Sequence, residues 1–133
     1  MSIRIGIVGY GNLGRGVEVG TKYNPDTELV GIFTRRDPNT VTPVFEDTRV
    51  YSADELDSFK EKIDVLIICG GSATDLPVTT PRLARDFNVV DSFDTHAKIN
   101  EHFDKVNLSA KETNHIALIS AGWDPGLFSL ARI

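Results

Sequence analysis

The feature that most constrains this chain is the run Gly9-Tyr10-Gly11-Asn12-Leu13-Gly14, which follows the apolar stretch Ile3 to Val8 and opens a segment with helical periodicity. Three glycines at this spacing leave the backbone few options. The first admits a tight turn, the second lets the backbone approach a pyrophosphate, and the third lets a helix pack close against the preceding strand. Helix-start N–H groups and the positive end of the helix dipole then meet phosphate. In a strand, turn, helix frame the run predicts dinucleotide binding; a merely structural glycine turn is the competing reading.

The rest of the chain supplies the frame. Short apolar runs at Ile3 to Val8, Leu29 to Phe33, Ile63 to Cys69, Val89 to Asp91 and Ile116 to Ala121 read as strands, with a weaker candidate near Arg49 to Tyr51. Leu13 to Tyr23, Ala53 to Lys62, Leu76 to Phe87 and Ile99 to Thr113 read as helices between them. Strands alternating with helices imply right-handed crossovers and a doubly wound, mainly parallel α/β sheet of the Rossmann type, in a single domain over residues 1–133. Asp37 to Glu46, with Pro38 and Pro43, reads as a surface loop.

Composition narrows the class. The 133 residues are 41% hydrophobic and 25% charged, which suits one globular core rather than disorder. A formal net charge of -5 disfavours nonspecific nucleic-acid binding. No apolar stretch approaches the length of a membrane span. The single Cys69 cannot form an internal disulfide, and Met1 runs straight into an apolar strand without a leader pattern, so the expected location is cytoplasmic. After Pro125, Leu127, Leu130 and Ile133 share a helix face with no Gly or Asn cap following. This is the expectation for a longer protein that has been truncated, or whose remaining domain is supplied elsewhere; a naturally short chain is the alternative.

The second strand ends in Thr34-Arg35-Arg36, where an NAD-binding chain of this type carries an acid for the ribose hydroxyls. A carboxylate there repels a 2'-phosphate, whereas guanidinium groups bind phosphate oxygens and stack on adenine. The expected cofactor is therefore NADP, against readings of Asp37 as a displaced acid or of the two arginines as a solvated face. Cys69-Gly70-Gly71-Ser72 follows another strand at the carboxyl edge, where small residues let a nicotinamide lie near the backbone or simply make a connection. Cys69 has no activating partner in sequence and reads as a small hydrophobe, not a nucleophile.

Two acidic loops, Asp91-Ser92-Phe93-Asp94-Thr95-His96 and Gly122-Trp123-Asp124-Pro125-Gly126, each follow a strand. Asp94 and Asp124 are candidates to hold a substrate ammonium and to take the proton released as C–N becomes C=N. The structural alternatives are helix caps: Asp94 for the next helix, Asp124 before Pro125 for the last. His96 reads as structural or solvent-exposed, with a general base as the competing reading, and His102 and His115 lie in no motif. No His, Cys or carboxylate spacing suggests a metal site, and no G-x-S-x-G element suggests a hydrolase.

Together, Ile7-Val8-Gly9-Tyr10-Gly11-Asn12-Leu13-Gly14, Phe33-Thr34-Arg35-Arg36, Cys69-Gly70-Gly71-Ser72-Ala73-Thr74-Asp75, Asp91 to His96 and Gly122 to Gly126 resemble the meso-diaminopimelate D-dehydrogenase family. The resemblance covers essentially the whole chain in order. It implies reversible NADP-dependent oxidative deamination of the D centre of meso-diaminopimelate, giving L-2-amino-6-oxopimelate and ammonia in lysine and cell-wall precursor metabolism. It also implies that NADP is lined by Gly9, Tyr10, Gly11, Asn12, Leu13, Gly14, Thr34, Arg35, Arg36, Cys69, Gly70, Gly71, Ser72, Ser92, Phe93, Asp94, Ala121, Gly122, Trp123, Asp124 and Pro125. Asp94 and Asp124 would face the substrate as well. Family members carry a further C-terminal substrate and dimerisation domain and are homodimers, so this segment by itself is expected to bind NADP and need not turn over. A stand-alone NADP-binding or redox-sensing module is the runner-up reading, and a Rossmann domain for another ligand such as CoA the third.

Overall fold

A computed structural model of the chain describes residues 1–131, which fall into two compact units, residues 1–69 and 70–131; Arg132 and Ile133, the last position of the expected helical stripe, lie outside the described residues. The first unit contains β1 (Ile3–Val8), α1 (Asn12–Tyr23), β2 (Thr27–Thr34), β3 (Val50–Ser52) and β4 (Val65–Ile68). These strands lie in the order β3-β2-β1-β4, with β1 parallel to β2 and β4 and β2 parallel to β3. Chain order reverses on the two sides of β1, so the turn after β1 sits at the topological switch, where open α/β sheets bind ligands. Ile7, Ile32, Phe33 and Leu66 are fully buried. Phe33 stacks on Tyr51 at 5.3 Å between centroids and meets the edge of Phe59 at 5.0 Å.

Two expectations shift here. The segment read as a helix over Ala53 to Lys62 is a 3-10 helix over Ala53–Phe59, opened by a capping box between Ser52 and Glu55. Its two buried residues, Leu56 and Phe59, are three apart, the spacing that eclipses on a 3-10 turn. The strand read from Ile63 starts at Val65, because the Ile63 N–H still closes that turn on the Phe59 carbonyl at 3.2 Å. Next to it the Asp64 carboxylate clamps Arg4.

The second unit contains α2 (Leu76–Ala84), β5 (Val89–Asp91), α3 (Ile99–Glu112), β6 (Ala117–Leu118) and α4 (Leu127–Ala131), with β5 parallel to β6. Leu83, Ala84, Phe87, Val89, Phe93, Val106 and Ala110 form its core. β6 is much shorter than the run Ile116 to Ala121. Ser120 adopts a left-handed conformation (φ 59), and its N–H and that of Ala121 turn to the side-chain and backbone oxygens of Asp91 instead of continuing a ladder. α4 begins at Leu127, so Pro125 is not in its first turn. Among the described residues no helix is long and apolar enough to cross a membrane.

Candidate functional site

In the first unit the glycine turn adopts the conformation its spacing demands. Gly9 has φ 89, open only to glycine without strain, while its N–H donates to the Phe33 carbonyl at 2.9 Å. A Cβ on Gly14 would lie 2.6 Å from the Gly9 carbonyl oxygen, so the third glycine brings α1 onto the turn. Gly11 differs. A Cβ there would meet nothing within 4 Å, so no protein contact accounts for the glycine; the open space is what a pyrophosphate needs. α1 begins without a side-chain cap on Gly11 and its first turn holds no acid, which leaves helix-start N–H groups for an anion. Asn12 and Leu13 are exposed on that first turn. These observations fit a dinucleotide.

The arginines follow from the end of β2. Buried Thr34 accepts the Arg36 N–H on Oγ1 at 3.1 Å, and the Arg36 guanidinium donates to the Tyr10 carbonyl at 2.8 Å. Arg36, 26 residues along the chain, is thereby held on the glycine turn. Arg35 is exposed beside it. Asp37, the alternative ribose acid, instead caps the 3-10 turn Pro38–Thr40 by accepting the Asn39 N–H at 3.0 Å. The Cys69 N–H donates to the Val8 carbonyl at 2.8 Å, which places Cys69 next to the turn. Burial pushes its thiol up to about 12, in line with an inert cysteine.

Sequence reasoning missed the residue behind this arrangement. Glu18, fully buried on α1, accepts from Tyr10 Oη, from the Val44 and Phe45 N–H groups at 3.0 and 3.2 Å, and from Thr48 Oγ1 at 2.7 Å. Burial pushes its carboxyl up, but the hydrogen bonds from Tyr10, Thr48, Val44 and Phe45 outweigh burial and hold its pKa below the ordinary value. Tyr10 is buried too, its hydroxyl pKa raised by burial and then by the bond to Glu18, so only its backbone can serve a ligand. The signal was available: Gly14, Glu18 and Thr21 fall on one helix face, and a carboxylate on a buried face must have a polar reason.

In the second unit Ser72 and Asp94 come together, the Asp94 N–H donating to Ser72 Oγ at 2.8 Å. Gly70 has a purely internal reason, since a Cβ there would lie 2.8 Å from the Cβ of Asp75, and the Gly71 N–H donates to the Asp75 carboxylate at 3.2 Å. Asp94 is exposed and caps no helix: the 3-10 turn at His96–Lys98 has Thr95 at its cap and α3 has Lys98, neither with a side-chain cap bond. Ser92 lies beside Gly122, 3.9 Å from where a Cβ would stand. Gly122 to Gly126 closes on itself through the Gly122 N–H to the Pro125 carbonyl at 3.2 Å and contains a cis Asp124-Pro125 bond. Asp124 is exposed and lies outside the α4 cap. Trp123, 63% exposed, packs its ring against Phe128 at 4.7 Å.

Both acidic loops are fastened by Asp91, a second residue that sequence reasoning left without a role. One carboxylate oxygen accepts the Phe93 and Ser120 N–H groups at 3.1 and 2.9 Å; the other accepts Thr80 Oγ1 at 2.8 Å and His102 Nε2 at 2.7 Å. Because the carboxylate accepts at both oxygens, His102 carries its proton on Nε2. The His102 ring stacks under Phe93 at 4.1 Å, so the Phe93 side chain belongs to packing and only its backbone is left for a ligand. No group of three or more His, Cys, Asp or Glu able to hold a metal occurs among the described residues.

No protein-family model matches the chain. It is 60% identical over 131 residues to the meso-diaminopimelate D-dehydrogenase of Ureibacillus thermosphaericus, covering 98% of this chain and 40% of that protein. Over nearly its whole length the chain is similar to the N-terminal part of the meso-diaminopimelate D-dehydrogenases. It spans about two-fifths of the length of the curated relatives it matches, 39% and 40% of the first ones. A solved meso-diaminopimelate dehydrogenase variant from Clostridium tetani E88 with DAP superposes at TM-score 0.90 and 52% identity, over 98% of this chain and 40% of that one. An engineered D-amino acid dehydrogenase bound to NADP+ superposes at 0.90 and 42%, over 99% and 40%. These likenesses bear out the Rossmann-type α/β fold.

Proposed function

We propose that this chain is the NADP-binding part of a meso-diaminopimelate D-dehydrogenase. The observation that carries the reading is the Arg36 guanidinium, held against the Tyr10 carbonyl of the glycine turn where an NAD-binding chain places an acid. There it can bind a 2'-phosphate by charge-assisted hydrogen bonds, with Arg35 beside it, while Gly11 leaves space for the pyrophosphate at the start of α1. The enzymes this chain resembles supply the reaction class: oxidation of an amino-bearing carbon, with ammonia released.

When bound, the nicotinamide supplies the hydride acceptor. The chain's part is to orient and to manage charge and protons. Asp94, its N–H bonded to Ser72, and Asp124, on the closed loop after β6, each present an exposed carboxylate. We assign them to hold the substrate ammonium and to take its protons as the C–N bond gains double-bond character. Cys69 takes no chemical step, since burial keeps its thiol protonated. Calorimetric titration of the chain with NADPH and NADH tests the cofactor claim: tighter binding of NADPH supports it, and equal affinity or no binding overturns it. Assay of the enzyme containing this segment with meso-diaminopimelate and NADP then tests the reaction. Loss of turnover with retained NADPH affinity in Asp124→Asn is the expected result, and unchanged turnover removes Asp124 from the mechanism.

A further inference from the structure

The structure assigns Glu18 a role beyond packing, as a positioning residue for cofactor selectivity that acts through Tyr10 and the loop at residues 37–48 to aim Arg36. This rests on the 2'-phosphate reading above. Two connections converge on Arg36. Its guanidinium is anchored on the Tyr10 carbonyl, and the Tyr10 ring is in turn held by its hydroxyl on Glu18 and by packing with Ile7, Ile32 and Val41. Arg36 also stands at the head of the segment whose far end, Val44, Phe45 and Thr48, bonds to the same carboxylate. Both the acceptor that orients Arg36 and the loop that leads away from it are therefore referenced to one buried group.

The chemistry explains why that group is a carboxylate. Four donors converge, two on each oxygen, and every one is neutral: a phenol, a hydroxyl and two backbone N–H groups. Only an acceptor with two equivalent oxygens satisfies them all. Glutamine would keep the volume but turn an NH2 toward two donors, one of them an N–H that cannot reverse. Glu18 is fully buried and its carboxylate is taken up by four protein donors, so its removal should reach NADPH through Arg36 and leave NADH nearly untouched.

The test is calorimetric titration of NADPH and NADH into Glu18→Gln, Tyr10→Phe, Arg36→Ala and the Arg36→Ala/Glu18→Gln double variant, with thermal melts of each. Expected are a roughly tenfold loss of NADPH affinity for Glu18→Gln, a change of less than about twofold for NADH, and no further loss of selectivity when Glu18→Gln is added to Arg36→Ala. Tyr10→Phe should shift selectivity in the same direction by less, and it carries the test if Glu18→Gln does not melt cooperatively. Parallel loss of both nucleotides, or additive effects in the double variant, overturns the inference. A selective loss in Arg36→Ala with none in Glu18→Gln or Tyr10→Phe overturns it while sparing the 2'-phosphate reading. If Arg36→Ala itself shows no selectivity change, the underlying reading has failed instead.

Discussion

The glycine-turn unit and the acidic-loop unit solve one problem in two ways. Each uses a fully buried carboxylate to fasten functional loops, Glu18 in the first and Asp91 in the second. Glu18 reaches out from the middle of a helix and is satisfied by neutral donors of one loop and one turn. Asp91 ends a strand, binds residues 11 and 29 positions away, and includes an imidazole among its donors. The contrast shows that a loop next to a ligand need not be rigid by itself when a buried acceptor collects its N–H groups. It also separates a hub that orients a cation from one that ties together two loops bearing exposed carboxylates.

The comparison is broken most directly at Asp91. Asp91→Ala strands His102, Thr80 and two N–H groups in the core, and a loss of about 3–5 kcal/mol is expected in urea unfolding. A loss near that of an exposed substitution would mean the loops are held by something else. Next come the glycines of the other unit. Gly14→Ala drives a methyl against the Gly9 carbonyl and should cost about 1–3 kcal/mol of stability. Gly11→Ala meets open space, so its cost in stability, that of a poorer helix cap, should stay below that of Gly14→Ala while NADPH binding weakens; unchanged affinity would refute the pyrophosphate assignment.

His102→Leu sharpens the contrast between the hubs. Asp91 keeps three of its four donors, so the cost should be about 1–2 kcal/mol, well below that of Asp91→Ala. Equal costs would make His102 the essential partner. The smallest effect belongs to the exposed clamp of Arg4 and Asp64. Hydrogen bonds from Arg4 hold the Asp64 carboxyl at about 2, below its ordinary 3.8, so the stabilisation it brings is present above the ordinary value and lost as pH falls from about 4 to about 2. Acid unfolding of Asp64→Asn should show a shallower loss over that window, and an identical acid limb would remove the clamp from the account.

Much of the first unit was legible in the sequence. Gly9 and Gly14 behave as their spacing implies, because their parts depend on local backbone and on the absence of a side chain. The strand boundaries of β1 and β5 also followed from local apolar runs, whereas β6 did not, because Ser120 and Ala121 left the ladder for an acceptor 29 and 30 residues back. Pro125 suggested a helix start that α4 does not use, and Asp94 suggested a cap that no helix takes. Tyr10 and Phe93 were expected beside the cofactor; their side chains are buried, on Glu18 and His102, and that partnership has no signature in a linear pattern.

What the sequence determined by itself is the alternation of strand and helix, the glycine turn and the cationic end of β2, since each is set within a few residues by periodicity, sterics or charge. Only the tertiary structure decided that Arg36 lies on the Tyr10 carbonyl, that Glu18 collects four donors from 8 to 30 residues away, and that Asp91 fastens both acidic loops. The physical reason is common to all three. A buried polar group must find hydrogen-bond partners wherever the folded chain places them, and packing, not local sequence, determines which distant groups those are.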